Sequence, residues 1–174
     1  MDKISLLISE YDIKKRVTEI AQKISMDYEG EKITIVSVLK GAFVFTADLI
    51  RSINNDTDIN FIRAKSYIDT KSSGDVNISD EFRLDVKGKT ILIVEDIIDT
   101  GKTLYDLKEY FFSAGCKDVK IAVFLDKPSR RTADVSPDYC CFQIEDKFVV
   151  GYGLDYNEKY RQLPYLGILT PGGN

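Results

Sequence analysis

Three carboxylates and a hydroxyl-rich turn crowd into residues 95–103: Glu95, Asp96, Asp99, then Thr100-Gly101-Lys102-Thr103. An apolar run, Ile91 to Val94, leads into them, and a helical pattern follows. Residue types in this order suit a phosphorylated sugar. The amides and hydroxyls of Thr100 to Thr103 lie where a helix begins, and a helix N-terminus favours a single phosphate group. Glu95 and Asp96 can accept hydrogen bonds from the vicinal hydroxyls of a ribose, while Asp99 projects from the turn. The competing reading is that these acids only cap the helix and complement its dipole.

Two better-known phosphate motifs fail on spacing. Gly101-Lys102-Thr103 looks like the end of a P-loop, but that motif needs a glycine where Asp96 stands. Gly151 and Gly153 lack the third glycine of a dinucleotide fingerprint, because Tyr156 occupies its place. The chain also has no histidine. Proton transfer near neutral pH therefore falls to Asp, Glu, Lys, Tyr or Cys, and His-ligated metal sites are excluded.

The elements that must position these residues follow from apolar periodicity. Ile13, Val17, Ile20 and Ile24 form one face of a helix starting near Asp12, with Gly30 beyond its end. Residues 32–39 (KITIVSVL) read as a strand and 42–53 as a mostly buried helix; residues 58–64 form a second strand. The polar stretch 66–89 reads as a lid or as a floppy hairpin, since loops of that length inside a compact domain are uncommon. The central run 91–94 is β-branched and unbroken, as in a parallel strand covered on both faces, and the strand ends at Glu95 and Asp96. Leu104, Leu107, Phe111 and Ala114 mark a helix closing at Gly115. A strand at 119–125 and two short β-like runs within 139–150 come next, and from Gly153 the chain is polar and aromatic. Strands alternating with helices give an α/β fold with a mainly parallel sheet in a single domain.

Composition bounds the rest. A chain of 174 residues with 44% hydrophobic and 30% charged residues can bury a core without disulfides or metals. The net charge of −4 argues against a nucleic-acid binder acting through its overall field. No apolar run approaches the roughly 20 residues of a membrane span, and the N-terminus has no signal-peptide core. Cys116 and the adjacent Cys140-Cys141 have no zinc spacing, and they read as plain buried thiols of a cytoplasmic protein.

VEDIIDTGKT resembles the phosphoribosyl-diphosphate-binding motif of type I phosphoribosyltransferases. Its doubled isoleucine is similar to the 6-oxopurine (hypoxanthine-guanine) branch of that family. VSVLKGAFVFTADL, KSY and KFVVGYGLDYNEKYR match further family motifs in the family order, so the resemblance covers nearly the whole chain. It implies purine salvage: transfer of the phosphoribosyl group from phosphoribosyl diphosphate to hypoxanthine or guanine, giving IMP or GMP, with Mg2+.

Residue by residue, the resemblance implies that Glu95 and Asp96 hold the ribose hydroxyls and belong to the metal set. Asp99 becomes the proton-transfer residue, and Asp99 to Thr103 wrap the 5′-phosphate (Thr100, Gly101, Lys102 and Thr103). Leu39-Lys40-Gly41 match the pyrophosphate loop, where the bond before the lysine can be a non-proline cis peptide. Lys127 matches the lysine that donates to the 6-oxo group. Phe148 stacks on the base and the Val149 backbone reads its edge. Asp155 is a magnesium-water ligand and Arg161 binds pyrophosphate. Ser66 and Tyr67 form the tip of a mobile loop, about 66–88, whose stretch IDTKSSGDVNISDEF departs from the family pattern. The implied architecture is one domain, 1–174, with a small base-binding hood from segments of about 1–12 and 127–174. Implied partners are phosphoribosyl diphosphate and 6-oxopurines, with assembly as a homodimer or homotetramer and no nucleic acid or membrane. Two alternatives stand beside this: a xanthine-preferring relative, and a nucleic-acid-binding regulator on the same fold.

Overall fold

The computed structural model describes residues 2–63, 84–170 and 172. Its core is a five-stranded sheet in the order β3-β2-β4-β5-β6. The strands are β2 (Ile33–Leu39), β3 (Thr57–Arg63), β4 (Thr90–Ile98), β5 (Asp118–Asp126) and β6 (Tyr139–Gln143). Every neighbouring pair is parallel. Helices α1 (Glu10–Asp27), α2 (Phe43–Ile50) and α3 (Lys102–Ser113) cover the faces.

Alternation along the strands divides the core in two, as the two-residue period of a strand requires. Ile33, Ile35, Leu92, Val94, Ala122 and Phe124 face α1 and α2, while Val36, Ile91, Ile93, Ile121 and Val123 face α3. Phe124 lies at the centre of the first layer, 5.9 Å from the Phe45 ring and 4.6 Å from that of Tyr152. Each buried Ile, Leu, Val or Phe side chain among them contributes about 1.5–3 kcal/mol relative to exposure.

One register detail builds the cleft. β2 pairs with β4 only as far as Ser37 and Val94, whereas β4 stays paired with β5 to Ile98 and Asp126. The central strand therefore does not end at Glu95 and Asp96, as its composition suggests; pairing with β5 carries it on to Ile98. On its β2 side, Glu95 and Asp96 border a gap at the carboxyl edge of the sheet, where open α/β sheets bind ligands.

A second, antiparallel sheet has the order β1-β8-β7, from β1 (Lys3–Ile8), β7 (Val149–Val150) and β8 (Leu166–Thr170). Neither β1 nor β8 is legible in the sequence, because β1 is exposed on most of its residues and shows no clean alternation. Helix α1 begins two residues before the expected Asp12: the Ser9 hydroxyl caps it, accepting the Asp12 N–H at 3.1 Å. Of the three thiols only Cys141 is buried; Cys116 and Cys140 are half-buried, and all three are free. Most of the polar loop, including Ser66 and Tyr67, lies outside the described residues; Leu84 and Val86 rejoin the core beside α3.

Candidate active site

The acid pair sits half-buried at the edge of the gap. Asp96 N–H donates to Glu95 Oε1 at 3.1 Å and Ile97 N–H to Asp96 Oδ1 at 2.8 Å. Burial, with the neighbouring Asp96 charge, holds the Glu95 carboxyl well above the usual carboxylate range, and burial also raises Asp96. Two acids whose charged forms are disfavoured in this way are poised for hydroxyl donors or a cation.

Beyond them the chain turns at Gly101, in left-handed conformation at φ 83°, and starts α3. A Cβ there would lie 2.7 Å from the Val135 side chain and 2.9 Å from that of Arg131, so space as well as φ demands glycine. The turn and strand end enclose a cavity of about 110 Å3, lined by Glu95, Asp99, Thr100, Gly101 and Thr103 with apolar Ile97, Ile98 and Leu104. Lys102 belongs to the turn, but its side chain points to solvent.

Asp99 is held from the segment after β5. Arg130 Nε donates to Asp99 Oδ1 at 2.9 Å, and Arg131 Nη1 donates to the Asp99 carbonyl at 2.7 Å. Arg131 also pairs with the buried Asp126 carboxylate at the end of β5. Lys127 Nζ lies 3.2 Å from Asp146 Oδ1, and Arg130 Nη1 lies 3.4 Å from the other oxygen of the same carboxylate. Lys127 and Asp99 are thus joined through Arg130 and Asp146. For these two arginines the sequence offers only the basic run after Lys127 as a signal, and for Asp146 only its place between two β-like runs.

A second group faces the acid pair across the gap. The Leu39-Lys40 bond is a non-proline cis peptide. The Asp96 carboxylate lies directly over Gly41, in the space where a Cβ would be, and the Gly41 carbonyl in turn excludes a side chain at Gly153. Arg161 Nη1 donates to the Gly153 carbonyl at 2.8 Å and Nη2 pairs with Asp155 at 2.8 Å. Its Nε is buried with no hydrogen-bond partner among the described residues. Lys40 Nζ reaches Glu158 at 3.0 Å, a residue the sequence did not single out.

Phe148 exposes 53% of its surface and packs edge-on against Tyr156, with centroids 5.5 Å apart. Val149 is buried in β7, paired with Ile168 of β8. Val149 thus lies in the small sheet, and Phe148, the other residue expected to meet a base, immediately precedes its strand β7. Among the described residues, no group of three or more carboxylates or thiols is gathered tightly enough to hold a metal alone. Glu95, Asp96 and Asp155 are therefore not a closed cage.

Comparison with known proteins identifies the family. Residues 9–157 match the model of the phosphoribosyl transferase domain family. The chain is 46% identical over 167 residues to a hypoxanthine-guanine phosphoribosyltransferase of Bacillus subtilis, covering 95% of this chain and 93% of the relative. It is 43% identical to the Aquifex aeolicus enzyme of the same name, covering 93% and 92%. A crystal structure of a hypoxanthine-guanine phosphoribosyltransferase from Bacillus anthracis superposes with a TM-score of 0.88 at 46% identity, covering 98% of this chain and 100% of that one. A hypoxanthine phosphoribosyltransferase from Staphylococcus aureus gives 0.90 at 40% identity, covering 96% and 91%. With its acidic strand end, its glycine turn and its parallel sheet, the chain belongs to the phosphoribosyl transferase domain family.

Proposed function

We propose that this protein is a purine salvage enzyme that transfers the 5-phosphoribosyl group from phosphoribosyl diphosphate to hypoxanthine or guanine, releasing pyrophosphate. The observation that carries this reading is the cavity between Glu95 and Thr103, whose Asp99 is paired with Arg130 and whose Glu95 adjoins Asp96, packed on the Gly41 turn next to Lys40. On one side Lys127 and Arg130 offer donors, and Phe148, just before β7, offers an aromatic face for a base. On the other, Lys40 and Arg161 offer cations for pyrophosphate.

In this reading the 5′-phosphate sits at the N-terminus of α3, on the amides and hydroxyls of Thr100 to Thr103. Glu95 and Asp96 accept the ribose hydroxyls and stabilise positive charge as it develops on the sugar. The bond from the anomeric carbon to pyrophosphate breaks with its electron pair leaving on the pyrophosphate oxygen. The purine nitrogen forms the new bond, and Asp99 accepts the proton lost from the five-membered ring. Lys127, a donor only, favours a 6-oxo group and repels the 6-amino group of adenine. Phe148 stacks on the base and the Val149 backbone meets its edge.

Mg2+ suits the donor set. Such an ion binds one or two carboxylates and takes its other ligands from phosphate oxygens and water, so an open set of Glu95, Asp96 and Asp155 is sufficient. When bound, it would neutralise charge on the diphosphate leaving group. One domain spanning 1–174, with a hood from about 1–12 and 127–174, goes with this reading. So do a loop at about 66–88, with Ser66 and Tyr67 at its tip, a cytoplasmic location, and assembly as a homodimer or homotetramer; the family resemblance supports each. No helix among the described residues is long and apolar enough to cross a membrane.

Incubation of the purified protein with Mg2+, phosphoribosyl diphosphate and hypoxanthine should yield IMP and pyrophosphate in equal amounts. Failure to form IMP overturns the reading.

A further inference from the structure

The two cations assigned to pyrophosphate are already bridged by a single carboxylate. Lys40 Nζ donates to Glu158 Oε1 at 3.0 Å, and Arg161 Nη2 lies 3.4 Å from Glu158 Oε2. Lys40 follows β2 and Arg161 lies near the C-terminus, so Glu158 joins two distant segments across the gap. Its side chain is 65% exposed and fills no core. The backbone that presents it is unusual: Asn157 and Glu158 are both left-handed, at φ 52° and 60°. A left-handed conformation is uncommon for a non-glycine residue, and Glu is not among the residues enriched there. The turn is tied by the Glu158 N–H, which donates to Asp155 Oδ2 at 2.8 Å. Arg161 meanwhile keeps its Nε buried without a partner among the described residues.

We propose that Glu158 is an internal stand-in for the pyrophosphate anion, one that orders Lys40 and Arg161 in the free enzyme and is displaced by the substrate. This rests on the reading that these two cations bind pyrophosphate. A carboxylate with one oxygen on each cation imitates a diphosphate, which also reaches both at once. Lys40 and Arg161 are therefore held near each other before substrate arrives, and each must exchange one acidic partner for another. Glu158 thereby weakens the ground-state affinity of the subsite, and its return to the cations favours release of the product pyrophosphate. It touches no reacting atom; its role is to set affinity and to position the cations.

The test compares Glu158→Gln with the native enzyme, using pyrophosphate as competitive inhibitor against phosphoribosyl diphosphate. Removing the displaced charge should tighten pyrophosphate inhibition and lower the KM for phosphoribosyl diphosphate by roughly 1.5- to 5-fold, the range of one exposed ion pair. The KM for hypoxanthine should stay unchanged, which a general structural defect would not allow. Lys40→Ala, measured alongside, tests the underlying assignment by weakening pyrophosphate inhibition. Unchanged or weaker inhibition in Glu158→Gln, with Lys40→Ala still impaired, overturns the stand-in and leaves the subsite standing. If Lys40→Ala binds pyrophosphate normally, the subsite assignment falls and the stand-in falls with it.

Discussion

The carboxylate of Asp96 occupies the space that a side chain at Gly41 would need. The acidic end of β4 and the loop after β2 are therefore in direct contact, and the ribose and pyrophosphate groups of residues share one wall. Gly41→Ala should displace either the Asp96 carboxylate or the loop. Overpacking of this kind costs about 1–3 kcal/mol, and here it falls on residues assigned to substrate. The expected result is a loss of roughly 100-fold in kcat/KM for phosphoribosyl diphosphate, because small misplacements of positioned groups cost about that much. Steady-state kinetics with a thermal melt would separate the two effects.

Asp99 faces the cavity from the turn before α3 and is held by Arg130 at 2.9 Å. Asp99→Asn keeps the shape and removes the proton acceptor. General-base catalysis contributes about 10²- to 10⁴-fold, so kcat should fall by that order while the KM for phosphoribosyl diphosphate changes only a few-fold. Unchanged turnover would remove Asp99 from the proton-transfer role.

Lys127 is mostly buried and, among the described residues, paired only with the exposed Asp146, so its ammonium is available to a ligand at modest cost. Lys127→Ala should reduce use of hypoxanthine and guanine and narrow the margin against adenine. Buried donor–acceptor mismatches are worth several powers of ten in specificity, and a rate assay over the bases would show it.

Burial and the Asp96 charge raise the Glu95 carboxyl well above its usual range, and burial raises Asp96 in the same direction. The folded protein therefore keeps protons that the unfolded chain would release. The contribution of this pair to stability without ligands is present below the ordinary carboxylate range and is lost as pH rises toward the elevated folded value. Glu95→Gln removes the ionisation, and should raise the melting temperature at neutral pH by a few degrees while weakening catalysis. In the native enzyme, stabilisation by Mg2+ and phosphoribosyl diphosphate should grow with pH over the same window, because binding favours the ionised pair. Melting curves across a pH series test both signs.

Away from the site, the Ser9 hydroxyl caps α1 by accepting the Asp12 N–H. Ser9→Ala should cost about 1 kcal/mol, seen as a lower melting temperature with kcat unchanged.

The sequence carried the parallel sheet because β2, β4 and β5 are buried on both faces and read as continuous apolar runs. It also carried the 95–103 cradle, whose residues are contiguous. What it hid depends on long-range pairing. Strand β1 is mostly exposed and takes its conformation from β8 at the far end of the chain, so local pattern gave no sign of either. The end of β4 is hidden for the same reason: acidic residues end a buried run, but β5 continues the ladder past them. Arg130, Asp146 and Glu158 read as ordinary surface charges until the fold brought them to Asp99, Lys127 and Lys40.

The most direct test of the account is the base profile of the native enzyme. Purified protein with Mg2+ and phosphoribosyl diphosphate is given hypoxanthine, guanine, xanthine or adenine separately, and nucleotide formation is followed by absorbance. The account predicts rapid formation of IMP and GMP and little or no AMP. Nucleotide from adenine alone, or from none of the four, would contradict it.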